Sequence, residues 1–306
     1  MTSLANDPPL IVLAGPTASG KTGLALKLAE AIGGEIVCCD SMTVYREMEI
    51  GTAKPSASDR ARIPHHLLDV IAPNQAFTAG DFSRQARASL AGITARGHIP
   101  IVAGGTGLYL RALIDGLFPA PPQDPALRER LRARPSGHLH RVLSRLDKAA
   151  ASSIHPNDQP KLVRAIEVSL AARKPITEQW SLGRERLTGY RILRLGLQPD
   201  RAALYARIDN RAASMFTQGL VEETRTLLAK YGMQRSLQAL GYAQACALLA
   251  GEITEPKAIA QAQQGHRNYA KRQGTWFRRE PGFHWLDGFG DEVEGEARAQ
   301  LKTFLP

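Results

Sequence analysis

Two glycines with four residues between them, followed at once by a lysine and a threonine, are the first residues of this chain that could do chemistry: Gly15, Pro16, Thr17, Ala18, Ser19, Gly20, Lys21 and Thr22. Such a loop lets successive backbone N–H groups converge on phosphate oxygens at the positive end of a helix, with Lys21 adding a point charge and the Thr22 hydroxyl able to hold a magnesium ion. The loop works only between a strand and a helix. Leu10 to Ala14 is a short apolar run, and from Lys21 onward Leu24, Leu28 and Ile32 recur at helical spacing until Gly33 and Gly34 stop the pattern. The context therefore supports a phosphate-binding loop. Whose phosphates it takes stays open. A nucleotide hydrolase or kinase usually offers an acid after a later apolar strand. Here the apolar run Ile99 to Ala103 enters Gly104, Gly105, Thr106 and Gly107 without a carboxylate. Asp40, at the end of the apolar run Ile36 to Cys39, is the nearest alternative and falls on the rim where open α/β sheets bind ligands. It could serve there as a base, a helix cap or a magnesium partner.

The elements that must position these residues alternate. After the second run, Thr78 and Asp81 open a helix carrying Ala86, Leu90 and Ile93, Gly97 closes it, and Ile99 to Ala103 follows as a third buried strand. Strands alternating with helices imply a parallel sheet, a wound α/β core. From Phe118 to Pro125 the prolines rule out a helix or a central strand, and the next 60 or so residues are helical and arginine-rich with no strand pattern. They read as an inserted helical domain over 122–189, with the core formed by 1–121 and 190–306. Ile192 to Leu197 reads as a returning strand, and Asp200 as the N-cap of a long helical stretch through Tyr231. The acidic tail from Asp287 is too mixed to assign.

Composition narrows the partners. The 306 residues are 43% hydrophobic and 22% charged, as in ordered globular proteins. The N-terminus has no basic stretch leading into an apolar run, so neither a leader nor a membrane span is expected and the cytoplasm is the default location. Three cysteines, two adjacent at Cys38 and Cys39, suit neither a disulfide framework nor a zinc site. The net charge is +10, and the excess is 0 over 1–121, +6 over 122–190 and +4 over 191–306. A polyanion, if bound, should lie against the middle and C-terminal parts. His266 to Arg279 has five basic residues, no acid, and Tyr269, Trp276 and Phe277 interleaved. That mixture suits unstacked bases and phosphates, although Trp276 and Phe277 could equally pack a terminal helix on the core.

A more specific signal lies in eight ordered segments. GPTASGKT (Gly15 to Thr22), DSMTVYREMEIGTAKPS (Asp40 to Ser56), PHHLLD (Pro64 to Asp69) and AGGTGLYLRAL (Ala103 to Leu113) are joined by HPNDQPKLVRAIEV (His155 to Val168), RIDNRAASM (Arg207 to Met215), LGYAQ (Leu240 to Gln244) and AKRQGTWFRR (Ala270 to Arg279). Together, over roughly residues 10 to 286, they resemble the bacterial tRNA dimethylallyltransferase family. The resemblance implies an α/β core of the P-loop NTPase-like kind, whose loop grips the diphosphate of dimethylallyl diphosphate, with magnesium as cofactor. The allyl group would pass to the exocyclic N6 amine of the adenine 3′ to the anticodon, position 37, in tRNAs reading codons that begin with U. Asp40 matches the family's general base, Thr106 a residue touching the adenine and the leaving-group bridge, and Arg207 and Arg211 the arginines near the diphosphate, with Lys21 among the catalytic groups. Contacts to the anticodon stem-loop are implied at Asp40, Ser41, Met42, Thr43, Thr106 and Arg128. They continue at Pro160, Lys161, Leu162, Val163 and Arg164, and at Gln238, Ala239, Leu240, Gly241, Tyr242 and Ala243. A last group comprises Lys271, Arg272, Gln273, Gly274, Thr275, Trp276, Phe277 and Arg278. The order Gln159-Pro160 reverses a common bacterial pattern, Ala239 replaces a polar or Cys residue of some members, and the zinc finger of many eukaryotic relatives is missing. A monomer is expected.

Two other readings compete: a small-molecule P-loop kinase, which would turn over ATP, and an RNA-binding protein that keeps the loop as a relic, which would bind tRNA without transfer.

Overall fold

The computed structural model describes residues 7–305. They form two compact units, one made of the residues up to Leu113 together with those from Leu187 onward, the other Ile114–Arg186. The sequence placed the seams at 121/122 and 189/190. Phe118 and Ala120 pack with the apolar cluster of the helical unit, which draws its first boundary upstream of the proline run.

The larger unit begins β1 (Pro9–Ala14), α1 (Lys21–Ile32), β2 (Gly34–Cys38), α2 (Ala57–Arg62), β3 (His65–His66), α3 (Ala79–Ala95), β4 (Ile99–Gly104) and α4 (Gly107–Ile114). The helical unit holds α5 (Pro125–Arg132), α6 (Ser136–Leu146), α7 (Lys148–Ser153), α8 (Gln159–Ala172) and α9 (Ile176–Ser181). The chain then returns through β5 (Arg191–Leu197), α10 (Arg201–Thr217), α11 (Leu220–Tyr231), a 3-10 turn (Arg235–Gln238), α12 (Tyr242–Leu249), α13 (Glu255–Phe277), β6 (Phe283–Leu286) and α14 (Glu294–Phe304).

The six strands make one parallel sheet in the order β3-β2-β4-β1-β5-β6. Ile11 lies between Ile101 of β4 and Leu193 of β5, and all three are buried with Leu13 and Leu195. Strands buried on both faces read as continuous apolar runs, which is why β1 and β4 are legible in the sequence. Leu24 and Leu28 of α1 and Ala297 and Leu301 of α14 join the same core. The chain leaves β1 toward β2 on one side of the sheet, while β5 adds to β1 on the other, so the β1 and β4 ends flank the point where the winding reverses. Open α/β sheets bind ligands at that crevice.

Local signals explain most helix ends. Thr78 and Asp81 form a reciprocal capping box, Asp81 N–H donating to Thr78 Oγ1 at 3.1 Å and Thr78 N–H to Asp81 Oδ2 at 3.0 Å. Asp200 Oδ1 accepts from Ala203 N–H at 2.9 Å and starts α10. The stretch expected to stay helical to Tyr231 does not: Gly219, at φ 102°, breaks it into α10 and α11. The tail left unassigned from Asp287 carries α14, directly after β6. Val293, Ala297 and Leu301 are buried at i, i+4 spacing, a stripe hidden in the sequence by the acids around it. Cys38 and Cys39 are buried free thiols whose pKa burial pushes up, to about 12 for Cys38. Among the described residues no helix is long and apolar enough to cross a membrane.

In the helical unit, Leu139, Leu143, Leu162, Val163 and Ile166 build the core. Glu167 is buried in it. The Arg128 Nε donates to one of its carboxylate oxygens at 2.9 Å and the Arg164 Nη1 to the other at 2.6 Å. Burial pushes the Glu167 pKa up, but the two arginines outweigh it and the group stays below the ordinary carboxylate value.

Candidate active site

A cavity of about 1030 Å³ opens at the carboxyl ends of the strands, all of its lining drawn from the larger unit. One lobe is the loop Thr17 to Thr22, wrapped around the N-terminus of α1 with Gly20 at φ 86° as its N-cap. Ala18 adopts φ 62°, a left-handed conformation that a side chain resists and that the surrounding loop must hold. The Ser19 hydroxyl is buried with no hydrogen-bond partner among the described residues.

Lys21 Nζ donates to Pro16 C=O at 2.6 Å and makes no ion pair among the described residues. Burial lowers its pKa to about 8, with Asp40 opposing the shift and Arg211 adding to it. Arg211 of α10 lines the same lobe without a carboxylate hydrogen bond among the described residues, and burial, opposed by Asp40, lowers its pKa also. Two desolvated cations lacking a salt bridge constitute an anion site, because a cation taken out of water is costly until an anion arrives. Arg207, one turn earlier, sits at the rim, stacked 4.1 Å over the Phe289 ring and paired with Asp291 at 3.2 Å.

Facing the loop is Asp40, just beyond β2. Met42 N–H donates to its Oδ1 at 2.8 Å, while Oδ2 has no hydrogen-bond partner among the described residues. Thr106, beyond β4, ties the two strand ends together: its N–H donates to Cys39 C=O at 3.2 Å and its Oγ1 accepts from Ser41 N–H at 3.0 Å. Gly104 permits this closeness, since a Cβ there would run into the Cys39 carbonyl. The glycines that displace a second acid from β4 thus serve packing of β4 on β2.

α13 closes the cavity from above. Gln273, expected among the RNA contacts, is buried, and its amide is spent within the fold: Oε1 accepts from Thr17 N–H at 2.8 Å and Nε2 donates to Gly105 C=O at 2.9 Å. It clamps the phosphate loop to the end of β4. Two turns and one turn before it, His266 and Tyr269 lie along the same stripe. Burial and then Arg211 push the His266 pKa down to about 4, so its imidazole is neutral. Tyr269 lines the cavity beside Asp40 and Thr106, and burial, with Asp40 adding, pushes its phenol up to about 12. Tyr269 stood in the sequence only as one aromatic of a basic segment. Lys54 was not singled out at all: it is buried, with Nζ donating to Tyr45 C=O at 2.7 Å and pairing with Glu49 and Asp69, while Arg60 bridges the same two acids. Nothing periodic marks Lys54 in the sequence, because its partners are brought to it by the fold.

The other expected RNA residues divide by exposure. Lys271, Arg272 and Thr275 are exposed on α13 and Arg278 at its C-cap, Gly274 lies between them, and Phe277 is core. Trp276 packs over Gly107 under the Arg111 guanidinium, 4.3 Å from its ring centre. Tyr242 is wholly buried, its hydroxyl donating to Glu223 Oε1 at 2.5 Å, and Ala239 packs beside it, whereas Gln238 is exposed. Thr43 is buried at the cavity wall, Met42 is half-buried against the apolar cluster around Tyr242, and Leu240 covers Gly265 of α13, with Gly241 and Ala243 following it into α12. In the helical unit Pro160 and Lys161 are exposed, Leu162 and Val163 are core, and Arg128 and Arg164 neutralise Glu167. Among the described residues no three His, Cys, Asp or Glu cluster as a metal site.

Two family models match the chain. Residues 43–280 match the family model described as IPP transferase, and residues 8–71 that described as isopentenyl transferase. The tRNA dimethylallyltransferase of Koribacter versatilis is 61% identical over 305 residues, covering 97% of this chain and 99% of its own length. Among solved structures, the tRNA isopentenylpyrophosphate transferase of Staphylococcus epidermidis is 34% identical with a TM-score of 0.70, covering 97% of this chain and 99% of its own. A eukaryotic dimethylallyltransferase acting on tRNA is 25% identical with a TM-score of 0.82, covering 95% of this chain and 77% of its own.

Proposed function

The chain belongs to the tRNA dimethylallyltransferase family, and on that premise we propose how its own residues divide the labour of prenyl transfer to tRNA. The observation that carries the reading is one cavity in which two desolvated, unpaired cations and the amides of a phosphate loop face a carboxylate with a free oxygen.

Dimethylallyl diphosphate lies with its diphosphate on the loop Gly15 to Thr22, against Lys21 and Arg211, with Arg207 at the rim. The N6 amine of the adenine 3′ to the anticodon approaches from the Asp40 and Thr106 side. Its nitrogen forms a bond to the allylic carbon as the bond from that carbon to the diphosphate oxygen breaks and the electron pair departs with diphosphate. The N6 proton passes to Asp40 Oδ2. Because an allylic cation is delocalised, the main demand is on the leaving group, and the loop amides with Lys21 and Arg211 meet it with preorganised positive charge. An exocyclic amine is a weak nucleophile, so an aligned carboxylate adds about 10²–10⁴-fold.

Magnesium takes oxygen ligands and keeps most of its waters, needing one or two protein oxygens besides phosphate. The Thr22 hydroxyl on the cavity wall fits that demand, and the ion when bound would offset charge on the diphosphate. The exposed cations of α13, with Lys161, Pro160, Arg128 and Arg164 of the helical unit, are the RNA contacts, in tRNAs reading codons that begin with U. A cytoplasmic enzyme that works as a monomer is consistent with this substrate.

Incubation with radiolabelled dimethylallyl diphosphate, magnesium and unmodified tRNA tests the reading. Label in the RNA at the adenine next to the anticodon is expected. Hydrolysis of ATP without tRNA and without transfer would support the kinase alternative, and tRNA binding without transfer the relic.

A further inference from the structure

Beside the phosphate loop lies a second recess of about 180 Å³, which takes Gly15 and Pro16 as one wall and which Asp40 does not line. Arg201 and Tyr205 of α10, Trp285 of β6, Lys271 and Gly274 of α13 and Arg278 at its C-cap are among the other residues that line it, and no carboxylate does. Residues 271 and 274 of α13 and 278 at its C-cap fall on one stripe, while Tyr269 and Gln273 on another face the large cavity. Gly274 puts no side chain between the two cations, and neither Lys271 nor Arg278 has an ion pair among the described residues. The Arg201 guanidinium lies 5.2 Å over the Tyr205 ring, with Nε donating to its hydroxyl at 3.2 Å. Trp285 is seated on Gly196, where a Cβ would collide with the indole.

Aromatic walls under a cationic, acid-free rim are the chemistry that holds an unstacked base and its phosphate. The recess is smaller than the roughly 300–1,000 Å³ sites that enclose whole ligands, so it accepts one ring system and not a nucleoside triphosphate. Asp40 follows β2 and Leu197 ends β5, three strand steps apart in the sheet, or about 14 Å at ~4.8 Å a step. A few nucleotides of single strand span that distance.

We infer that this recess binds an unpaired nucleotide of the substrate RNA a few positions from the target adenine, its base against Tyr205 and Trp285 and its phosphate between Lys271 and Arg278. The inference rests on the tRNA reading above and adds Arg201, Tyr205 and Trp285, which no sequence segment indicated.

The decisive experiment uses the wild-type protein with anticodon stem-loop RNAs carrying 4-thiouridine at one loop position at a time. Irradiation should crosslink one of them to the peptide containing Tyr205 or that containing Trp285. In parallel, Arg201→Gln and Tyr205→Leu should each weaken RNA affinity, by about 5- to 150-fold for a lost stacking contact, with the single-turnover rate at saturating RNA unchanged. The inference is overturned by a wild type that prenylates tRNA normally, shows no crosslink to either peptide and loses no RNA affinity through the substitutions. It is equally overturned if free AMP binds the recess and the substitutions abolish that binding alone. Failure of the wild type to prenylate is read in its own arm and counts against the tRNA reading, not against the recess.

Discussion

Replacing Gln273 by leucine separates a clamp from an RNA contact, because its amide makes two hydrogen bonds between segments that are far apart in the chain. Leucine keeps the volume and removes both partners. Thr17 N–H and Gly105 C=O then lose their bonds, and a buried group left unpaired costs about 1–3 kcal/mol. The Gly105 bond is fully buried and the Thr17 bond only partly so. Water can therefore replace the second more readily than the first. The expected loss of stability is about 2–4 kcal/mol, read as a lower midpoint in urea unfolding at unchanged slope. Because the same bonds hold the loop at Thr17, the KM for dimethylallyl diphosphate should rise by about 10- to 100-fold with affinity for tRNA nearly unchanged. Gln273→Glu is the companion variant. It retains an acceptor for Thr17, loses the donor to Gly105 and adds a negative charge beside the diphosphate lobe, so its loss of donor affinity should exceed its loss of stability. A leucine variant within about 0.5 kcal/mol of wild type, with donor KM unchanged and tRNA affinity reduced, would refute the clamp and return Gln273 to the RNA surface.

Asp40→Asn keeps shape and removes basicity, so the single-turnover rate at saturating donor, magnesium and tRNA should fall about 10²–10⁴-fold; a rate restored to wild type under those conditions would make Asp40 a binding group instead. Lys21, lowered from 10.5 to about 8 in the fold, binds fewer protons folded than unfolded between those values, so its contribution to stability rises with pH across that window. Diphosphate wants the charged form, so calorimetric affinity for inorganic diphosphate should fall by up to about 10-fold per pH unit above about 8, with proton uptake on binding, and Lys21→Met should bind weakly with no such inflection. Alanine at Lys271, Arg272 and Arg278 together should flatten the salt dependence of tRNA binding by about 0.7 per lost phosphate contact; an unchanged slope would mean that this face is only solvated.

The sequence by itself determined the features whose cause is local. A phosphate loop is a spacing of glycines ahead of a lysine, a strand buried on both faces is an apolar run, and a cap is a side chain three residues from its amide. The loop at Gly15 to Thr22, the strand before it, the capping box at Thr78 and Asp81, the Asp200 cap and the position of Asp40 at the end of β2 were all legible for that reason. Eight ordered segments carried the family as well. What only the tertiary structure decided is whatever depends on which distant residues meet. Gln273 and Arg278 stand on one basic helix, yet the first is a buried clamp and the second an exposed cation, a difference set by the β4 end and the loop packed under α13. Tyr242 and Phe277 read as RNA contacts by position and are core by burial. Arg207 and Arg211 look equivalent one turn apart, but Asp291 arrives from the C-terminal tail to pair with only the first. Burial and pairing are sums over neighbours brought together by folding, and one-dimensional spacing does not contain them.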